Sequence, residues 1–482
     1  MTLQAIATTE QAIAAPSYYV VTPDDVVPIE AYPRGDLGAG MACLFQQEIL
    51  EQREERVSRQ LAELFRNFGF EWEPLSEPGH MRFVGHAAFM LDQAKSNAEK
   101  VAISTFQSLD IPVLRMDGVS IVDPSSTVMS EYLRLTSLNA GLYGDSPYDV
   151  TGAGSNYNLR QTGCFQKYSA CLQRSIVAAS LPIALFEISD SFRREPADRL
   201  QLGFRLRRFH LPEAHVHGKT ISDVVEISLQ LHRRILEAIS ELEPELVLLI
   251  NATHEFATAN HGYFKQLASQ AKSLALLKVA GPGEMCEDGV EVDVEYKLVD
   301  ADGCCRELST FQFDETITRN FGVRCDDGTT PSTIHAVLTG GIERYLYFLL
   351  DRIVRTKRAG LRRHLPLWIS PVVARVVPST DAVTDSAVTL ARQLSAAGIR
   401  VQLDDRGLDQ DSAIHDADEI LTPYFVVVDE SNSHLKVRGF ESGQFKEMNA
   451  GELIDEIQNG SARSHVEYFQ RLSRQPLNME CL

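Results

Sequence analysis

The spacing of apolar residues changes at a segment with three prolines, residues 366–379, and this change limits the possible folds most strongly. Before it, residues 290–299 and 309–315 alternate apolar with polar side chains, as the strands of an antiparallel sheet do. Beyond it, short apolar runs and helical segments alternate over residues 373–428, which is typical of a small α/β unit with a largely parallel sheet. The sequence therefore predicts two consecutive units of different architecture.

Two segments of the first unit predict a β-hairpin. Residues 183–189 form an apolar run, residues 203–210 alternate, and a polar loop joins them. Because side chains alternate along a strand, Arg205, Arg207 and Phe209 would share one face. Guanidinium groups can fork onto phosphate oxygens and an aromatic ring can stack on a purine, although a solvated arginine-rich hairpin is the commoner explanation for these residues alone.

Three long helices are predicted from apolar residues that recur at helical spacing. They cover residues 41–68, which Gly69 ends, residues 220–242, and a stretch that begins after Gly340. Residues 1–35 show neither period, and we expect a loose tail or a segment wrapped over the surface.

The composition, with 44% hydrophobic and 23% charged residues, is that of a soluble globular protein. No apolar run reaches the roughly 18–20 residues of a membrane helix, and the N-terminus lacks the pattern of a signal or transit peptide. The eight cysteines have no regular spacing, so no disulfide framework is expected. These features predict a cytoplasmic protein without a membrane partner. The net charge of −20 disfavours nucleic acid as a partner unless a local basic patch binds it.

Several motifs together carry a family resemblance. Residues 192–195 (Phe-Arg-Arg-Glu) and 340–344 (Gly-Gly-Ile-Glu-Arg) fit the second and third signature motifs of class II aminoacyl-tRNA synthetases. Residues 72–81, 204–215 and 334–335 are similar to threonyl-tRNA synthetases of the archaeal kind. The combination is far more specific than either signature motif, and the likeness covers most of the chain.

The resemblance implies an α+β catalytic domain of the class II synthetase type, an antiparallel sheet flanked by helices, followed by a small α/β domain like the family's anticodon-binding domain. The corresponding boundaries are an N-terminal tail at residues 1–35, a catalytic domain over 36–367 and an anticodon-binding-like domain over 368–482. A homodimer formed through the helix at residues 41–68 is implied as well.

The implied activity is that of a threonine–tRNA ligase, which uses ATP and Mg²⁺ to form threonyl-adenylate and then transfers threonine to tRNA(Thr). Arg193 would bridge the α-phosphate and the amino-acid carboxylate, and Arg344 would contact adenine and the γ-phosphate; both are the implied catalytic residues. Glu195 and Phe209 would bind adenine, and Glu307 is a candidate Mg²⁺ ligand. The full set of implied ATP-binding residues is Arg193, Glu195, Arg205, Phe209, Glu307 and Arg344.

The resemblance also implies one Zn²⁺ per subunit, held by Cys164, His215 and His335, which their spacing alone would not reveal. Three protein ligands leave coordination positions open, in this family for the amino and hydroxyl groups of threonine. Valine lacks that hydroxyl and would be rejected by roughly 10⁴-fold or more, whereas an apolar pocket discriminates by roughly 10–200-fold. The implied substrate-binding residues are Glu213, Thr310 and Gln312.

Three features depart from the family pattern. Glu213 stands where the family usually has aspartate, so a different hydroxy amino acid could fit the pocket. Residues 409–419, a basic helix in relatives, are acidic here, which weakens the expected anticodon contact. Only a short segment precedes the family-like sequence, so an editing domain is expected to be missing and some seryl-tRNA is expected to form unless a separate protein removes it.

Three functions stay open at this point: a threonine–tRNA ligase, a synthetase-like paralogue that activates a hydroxy amino acid for a non-tRNA acceptor, and a non-catalytic protein on a synthetase fold. The presence of Arg193, Glu195, Arg344 and the three metal positions argues against the last. Amino-acid-dependent ATP–pyrophosphate exchange separates the last function from the first two, and charging of tRNA separates the first from the second.

Overall fold

The computed structural model describes residues 16–50, 58–126, 128–129, 147–152, 155–286, 289–358, 364–430, 434–439, 443–459 and 469–471. Its largest feature is a ten-stranded sheet, and a six-stranded sheet follows it along the chain. None of the helices in these ranges is both long enough and apolar enough to cross a membrane.

The first unit contains the ten-stranded sheet and two small ones. Its strands are β1 (Ser17–Val21), β2 (Val26–Pro28), β3 (Phe70–Trp72), β4 (Met81–Phe83), β5 (Val113–Arg115), β6 (Ile121–Val122), β7 (Asp149–Gly152), β8 (Ser155–Leu159), β9 (Ile183–Phe192), β10 (Arg208–Gly218), β11 (Glu245–Ala252), β12 (Ala275–Val279), β13 (Val292–Val299), β14 (Cys305–Phe313) and β15 (Ser332–Val337). Its helices are α1 (Gly38–Glu48), α2 (Arg59–Phe68), α3 (His86–Ser108), α4 (Cys164–Gln173), α5 (Ile221–Ile239), α6 (His254–Ala259), α7 (His261–Ala271), α8 (Glu315–Asn320) and α9 (Ile342–Arg358).

The large sheet has the order β2-β1-β12-β11-β13-β14-β15-β10-β9-β5 and is antiparallel except at β11–β12 and β5–β9. One of its faces is apolar: Phe186, Ala214, Phe311 and Ile334 pack with helices α3, α5 and α9 in the main hydrophobic core. Because side chains alternate along each strand, the neighbours of these residues point to the opposite face, where the polar residues of the site lie.

The second unit contains strands β16 (Ala374–Pro378), β17 (Val401–Leu403), β18 (Tyr424–Val428), β19 (Leu435–Arg438), β20 (Phe445–Met448) and β21 (Phe469–Arg471). It has its own core, and its mixed sheet has the order β20-β19-β18-β16-β17-β21. Pairs β16–β17, β16–β18 and β17–β21 are parallel, and the two pairs at the other edge are antiparallel. The predicted fold class, a class II synthetase core followed by a small, largely parallel α/β unit, is confirmed. The helices of this unit are α10 (Thr384–Ala396), α11 (Gln410–Glu419) and α12 (Ala450–Asn459).

The single helix predicted over residues 41–68 is wrong. The chain forms α1, which ends at Glu48, and a separate α2 that starts at Arg59; residues 51–57 lie outside the described residues. The side chain of Ser58 caps α2 by accepting a hydrogen bond from the Leu61 N–H at 3.0 Å, which fixes a new helix start. Gly69 ends α2 in the left-handed conformation, φ 87°, as predicted.

The loose tail expected at residues 1–35 differs from the structure over residues 17–28. Strand β1 pairs with β12 and β2 pairs with β1, so this segment extends the large sheet, with Val20 and Val21 fully buried. The strand forms because a sheet edge distant in sequence supplies its hydrogen-bond partners, and local periodicity carries no sign of such an edge. Residues 1–15 lie outside the described residues, and the boundaries at 36 and 368 stay predictions.

The returning strand of the predicted hairpin starts later than expected. Residues 201–205 form a turn in which Gln201 and Arg205 exchange backbone hydrogen bonds of 3.0 and 2.9 Å, and Gly203 has a φ of +77°. Strand β10 then pairs with β9 from Arg208 to His217. The shared strand face proposed for Arg205, Arg207 and Phe209 is therefore wrong, although the hairpin itself is present.

Candidate functional site

A cleft with a cavity volume of about 180 Å³ opens on the polar face of the large sheet. It is lined by all six residues predicted to bind ATP, by two of the predicted substrate-binding residues and by two of the predicted metal ligands: Arg193, Glu195, Arg205, Phe209, Glu307, Arg344, Thr310, Gln312, Cys164 and His335. The remaining two, Glu213 and His215, are fully buried beneath this lining.

A β-bulge in β14 brings Glu307 into the cleft. Lys297 of β13 pairs with Glu307, but Tyr296 pairs with Ser309, so Leu308 is the extra residue. Without that extra residue, Glu307 would face the apolar core with Phe311, because side chains alternate along the strand. The bulge instead places Glu307 on the same face as Thr310 and Gln312.

Two guanidinium groups lie against aromatic rings in the cleft. The Arg193 Cζ lies 5.1 Å from the Phe209 ring centroid, and the Arg344 Cζ lies 4.8 Å from that of Phe204. Arg344 also donates to the Glu307 carboxylate, with Nη1 3.0 Å from Oε2. Burial alone would raise the pKa of Glu307, but Arg344 lowers it below its usual range, so this carboxylate is ionised at neutral pH. The cleft can therefore hold a polyanion and a divalent cation together.

The three predicted metal ligands come together at one end of this cleft. His215 of β10 and His335 of β15 are directly paired across adjacent strands, and Cys164 begins helix α4. All their ligand atoms lie within 4.8 Å of one another, and the Cys164 Sγ is 3.6 Å from the His335 Nδ1. Gln312 of β14 pairs with His335 of β15, so this predicted substrate-binding residue lies directly beside a metal ligand.

The chemistry of this cluster fits a metal ion. His215 is fully buried, yet neither of its ring nitrogens has a hydrogen-bond partner among the described groups, which is costly unless a metal occupies one of them. Burial lowers the pKa of His335 to about 4, so it is a neutral ligand with a free lone pair. Burial, and then the Glu213 charge, raise the pKa of the Cys164 thiol well above its usual range, so only a cation would make it a thiolate.

Glu213 is anchored next to the cluster by buried donors. Its Oε1 accepts hydrogen bonds from the Ser189 hydroxyl at 2.8 Å and the Gly163 N–H at 3.0 Å, and lies 3.2 Å from the Lys167 Nζ. Its Oε2 lies 3.4 Å from the Cys164 Sγ. A Cβ at position 163 would collide with Oε1, so the glycine provides the space for this carboxylate. Burial by itself would raise the pKa of Glu213, but Lys167 and these hydrogen bonds lower it to about 2.

Sequence reasoning missed the charge network behind Glu213. Glu187 of β9 is paired directly with Glu213 of β10, and two buried carboxylates so placed require cations. Lys167 lies 3.2 Å from both carboxylates, and Arg160 lies 2.7 Å from Glu187. Two signals could have revealed it: Lys167 follows Cys164 by one helical turn, and the correct hairpin register pairs Glu187 with Glu213.

We expect Lys167→Met to lower the free energy of unfolding by about 3–5 kcal/mol, because it leaves two buried carboxylates with one cation fewer. Urea denaturation followed by circular dichroism measures this change. Lys446→Met is the matched control, since its pair with Glu456 has side chains 50% and 35% exposed, and it should change stability by at most about 1 kcal/mol. Equal effects of the two substitutions would contradict the role given to burial.

The other histidines near the site have different partners. His210 Nδ1 lies 2.7 Å from the Glu343 carboxylate, and His217 Nδ1 lies 2.9 Å from the Thr333 hydroxyl. Cys304 and Cys305 are buried at the start of β14, away from the metal ligands. None of these belongs to the metal cluster.

Two family models match the chain. Residues 148–353 match the tRNA synthetase class II core domain (G, H, P, S and T), and residues 372–460 match the anticodon binding domain. Threonine–tRNA ligases of Thermofilum pendens and Caldivirga maquilingensis are 33% and 32% identical over 448 and 449 residues, which cover 91% of this chain and 71% of each relative.

Solved structures are similar in fold. The RNA-binding domain of threonyl-tRNA synthetase from Cryptosporidium parvum superposes with a TM-score of 0.67 at 16% identity, covering 85% of this chain and all of that one. A putative threonyl-tRNA synthetase from Aeropyrum pernix gives a TM-score of 0.62 at 15% identity, with 86% of this chain and 99% of that one covered.

Proposed function

The chain belongs to the threonine–tRNA ligase family, and from that membership we propose that it activates threonine with ATP and transfers it to tRNA(Thr). One observation carries this proposal: the Cys164, His215 and His335 cluster opens into the same cleft as Arg193 and Arg344. An amino acid held at the cluster would present its carboxylate to a nucleotide held by the arginines. We expect the reaction to take place in the cytoplasm, where the free cysteines of this chain would stay reduced.

In the first step, a carboxylate oxygen of threonine attacks the α-phosphorus of ATP, and the bond to pyrophosphate breaks. Arg193 would hold the two anions together and stabilise the negative charge that grows on the α-phosphate oxygens. Arg205 and Arg344 would bind the outer phosphates, and Glu307 would hold Mg²⁺. Glu195 and Phe209 would position the adenine.

Selection of the amino acid would take place at the other end of the cleft. Cys164, His215 and His335 would hold Zn²⁺, which when bound supplies coordination positions for an amino and a hydroxyl group. Glu213, ionised and held by Lys167, would accept a hydrogen bond from that hydroxyl. Thr310 and Gln312 would line the side of the pocket between the metal ligands and the nucleotide.

The test of the proposed function is a pair of assays on the zinc-loaded protein: threonine-dependent ATP–pyrophosphate exchange and charging of purified tRNA(Thr) with labelled threonine. We expect both to proceed. Exchange without charging would show an amino-acid activator with another acceptor, and failure of both would leave a binding protein on a synthetase fold. A homodimer through residues 41–68 stays a prediction.

Phe209→Ala is expected to raise the KM for ATP by roughly 5–150-fold, because stacking of a base on an aromatic ring contributes about 1–3 kcal/mol. Pyrophosphate exchange at varied ATP measures this effect. Phe209→Tyr keeps the ring and should change the KM by less than about threefold. An unchanged KM in the alanine variant would remove Phe209 from the nucleotide site.

A further inference from the structure

Two cysteines that the proposed reaction does not use meet between helix α1 and strand β14. Cys43 lies on α1 and is partly exposed, whereas Cys305 begins β14 and is buried in the apolar cluster against which Cys43 packs. Both are free thiols in the structure. They are far apart in the chain, so only the packing of α1 on the sheet brings them together.

Gly40 allows α1 to approach the sheet closely. Its backbone N–H donates to the Glu245 carboxylate of β11 at 2.7 Å. A Cβ at this position would lie 2.8 Å from the same carboxylate and 3.1 Å from Val299, so a larger residue would push the helix away. Cys43 follows Gly40 by about one helical turn and therefore reaches the start of β14.

Hydrogen bonds hold the two cysteines against each other. The Cys43 sulfur accepts from the thiol and from the backbone N–H of Cys305. The Cys43 Sγ also lies 3.2 Å from the Gly303 carbonyl oxygen, and the Cys305 Sγ lies 3.7 Å from that of Gly40. Each sulfur thus lies against the backbone of the other segment, as in a pair that can be joined.

Cys43 is the more reactive member of the pair. The hydrogen bond from the Cys305 thiol lowers the pKa of Cys43 to about 7, although burial opposes this effect. A large share of Cys43 is therefore a thiolate at neutral pH, and a thiol whose pKa lies near the ambient pH attacks most effectively. An accessible thiolate beside a second cysteine is the arrangement of a redox-sensitive site.

The pair lies beside the end of the cleft assigned to the outer phosphates. Cys305 lines a second cavity of about 130 Å³ between α1 and β14, and this cavity shares Arg205, Glu307 and Arg344 with the cleft. Glu307 follows Cys305 by two residues on the same strand. A new covalent bond at Cys305 would therefore move the carboxylate assigned to Mg²⁺.

We propose that Cys43 and Cys305 form a peroxide-sensitive thiol pair, whose disulfide links α1 to β14 and lowers activity in the cleft. The Cys43 thiolate attacks one oxygen of hydrogen peroxide, the O–O bond breaks, and the hydroxide that leaves takes up a proton. The Cys305 sulfur then attacks the sulfenic acid at Cys43, the S–O bond breaks, and water leaves with the Cys305 proton. Two thiols are oxidised to one disulfide, and peroxide is reduced to two waters.

The effect on activity follows from the position of the bond. A disulfide is shorter than any contact between two thiols, so its formation pulls the start of β14 toward α1. A displacement of about 1 Å in groups that position a substrate can lower a rate by about 10²-fold. This effect rests on the proposed ligase function, whereas the reaction of the two thiols does not.

The covalent link is tested on the whole protein with one equivalent of hydrogen peroxide. After remaining thiols are blocked and the chain is cut with trypsin, mass spectrometry should find peptides 35–53 and 298–306 joined, two hydrogens lighter than their sum. A non-reducing gel should show the mass of one chain. Oxidised Cys43 without the link, or a link between two copies of the chain, would overturn the inference.

Two matched variants identify the partner of Cys43, because peptide 298–306 contains both Cys304 and Cys305. Cys304→Ser should keep the link and Cys305→Ser should lose it, since the hydrogen bonds to Cys43 come from residue 305. The opposite pattern would show that the wrong cysteine has been assigned.

ATP–pyrophosphate exchange measures the effect on the cleft. Peroxide should lower exchange by roughly 10–100-fold, and dithiothreitol should restore it. Cys43→Ser should keep its exchange under both conditions. An equal loss in Cys43→Ser, or unchanged exchange when the link has formed, would overturn the effect on activity. If the untreated protein shows no exchange, the ligase function fails, and the peptide measurement still decides the thiol pair.

Discussion

Arg193→Ala is expected to lower threonine-dependent ATP–pyrophosphate exchange by at least about 10²–10³-fold, to below the measurable rate. The attacking carboxylate and the α-phosphate repel each other, and negative charge grows on the phosphate oxygens as the bond to pyrophosphate breaks. Arg193 lines the cleft and lies over Phe209, between the metal cluster end and the nucleotide end. Among the described residues that line the cleft, the other two arginines are each bonded to a carboxylate, Arg344 to Glu307 and Arg205 to Glu195, and both are assigned to the outer phosphates.

Two variants control this result. Arg193→Lys keeps the charge but loses the fork that can bind two oxygens, so a partial loss is expected. Arg174→Ala removes an exposed arginine at the end of α4 and should leave exchange unchanged. Measurable exchange within about tenfold of the unsubstituted protein in Arg193→Ala would remove this residue from the catalytic role.

Loss of one metal ligand is expected to have the second large effect. In His335→Ala the bound zinc should fall from one ion per chain to near zero, as measured by elemental analysis of dialysed protein. The preference for threonine over valine in pyrophosphate exchange should fall from roughly 10⁴-fold or more to the roughly 10–200-fold range of an apolar pocket. The zinc content falls because one of the three metal ligands is removed. The preference for threonine falls because the group that binds its hydroxyl directly is then missing.

His217→Asn is the matched control for this prediction. His217 lies two residues after His215 on β10, but it bonds to Thr333 and Cys171, outside the cluster. The control should retain zinc and the preference for threonine. Zinc retained at one ion per chain in His335→Ala, or lost equally in both variants, would contradict the assignment of the three ligands.

Much of the fold followed from the spacing of apolar residues. Periodicity reports directly on interactions between neighbours in sequence. Such interactions form the helix after Thr220, the helix after Gly341 and the alternating strands and helices beyond residue 372. The single helix at 41–68 was wrong because the Ser58 cap, a local hydrogen bond, competes with helical spacing. The prediction that the returning strand starts at residue 203 was wrong because the turn at residues 201–205 interrupts the alternating pattern.

The family, the two-unit organisation and the residue types of the site can be read from the order of amino acids alone. Three features emerge only when the chain is folded: the Leu308 bulge turns Glu307 into the cleft, β1 extends the sheet, and Lys167 lies between Glu187 and Glu213. The difference lies in the range of the interactions. Periodicity records which side chains avoid water, whereas strand register, buried charge pairs and metal geometry depend on residues far apart in the chain that meet only when the sheet is assembled.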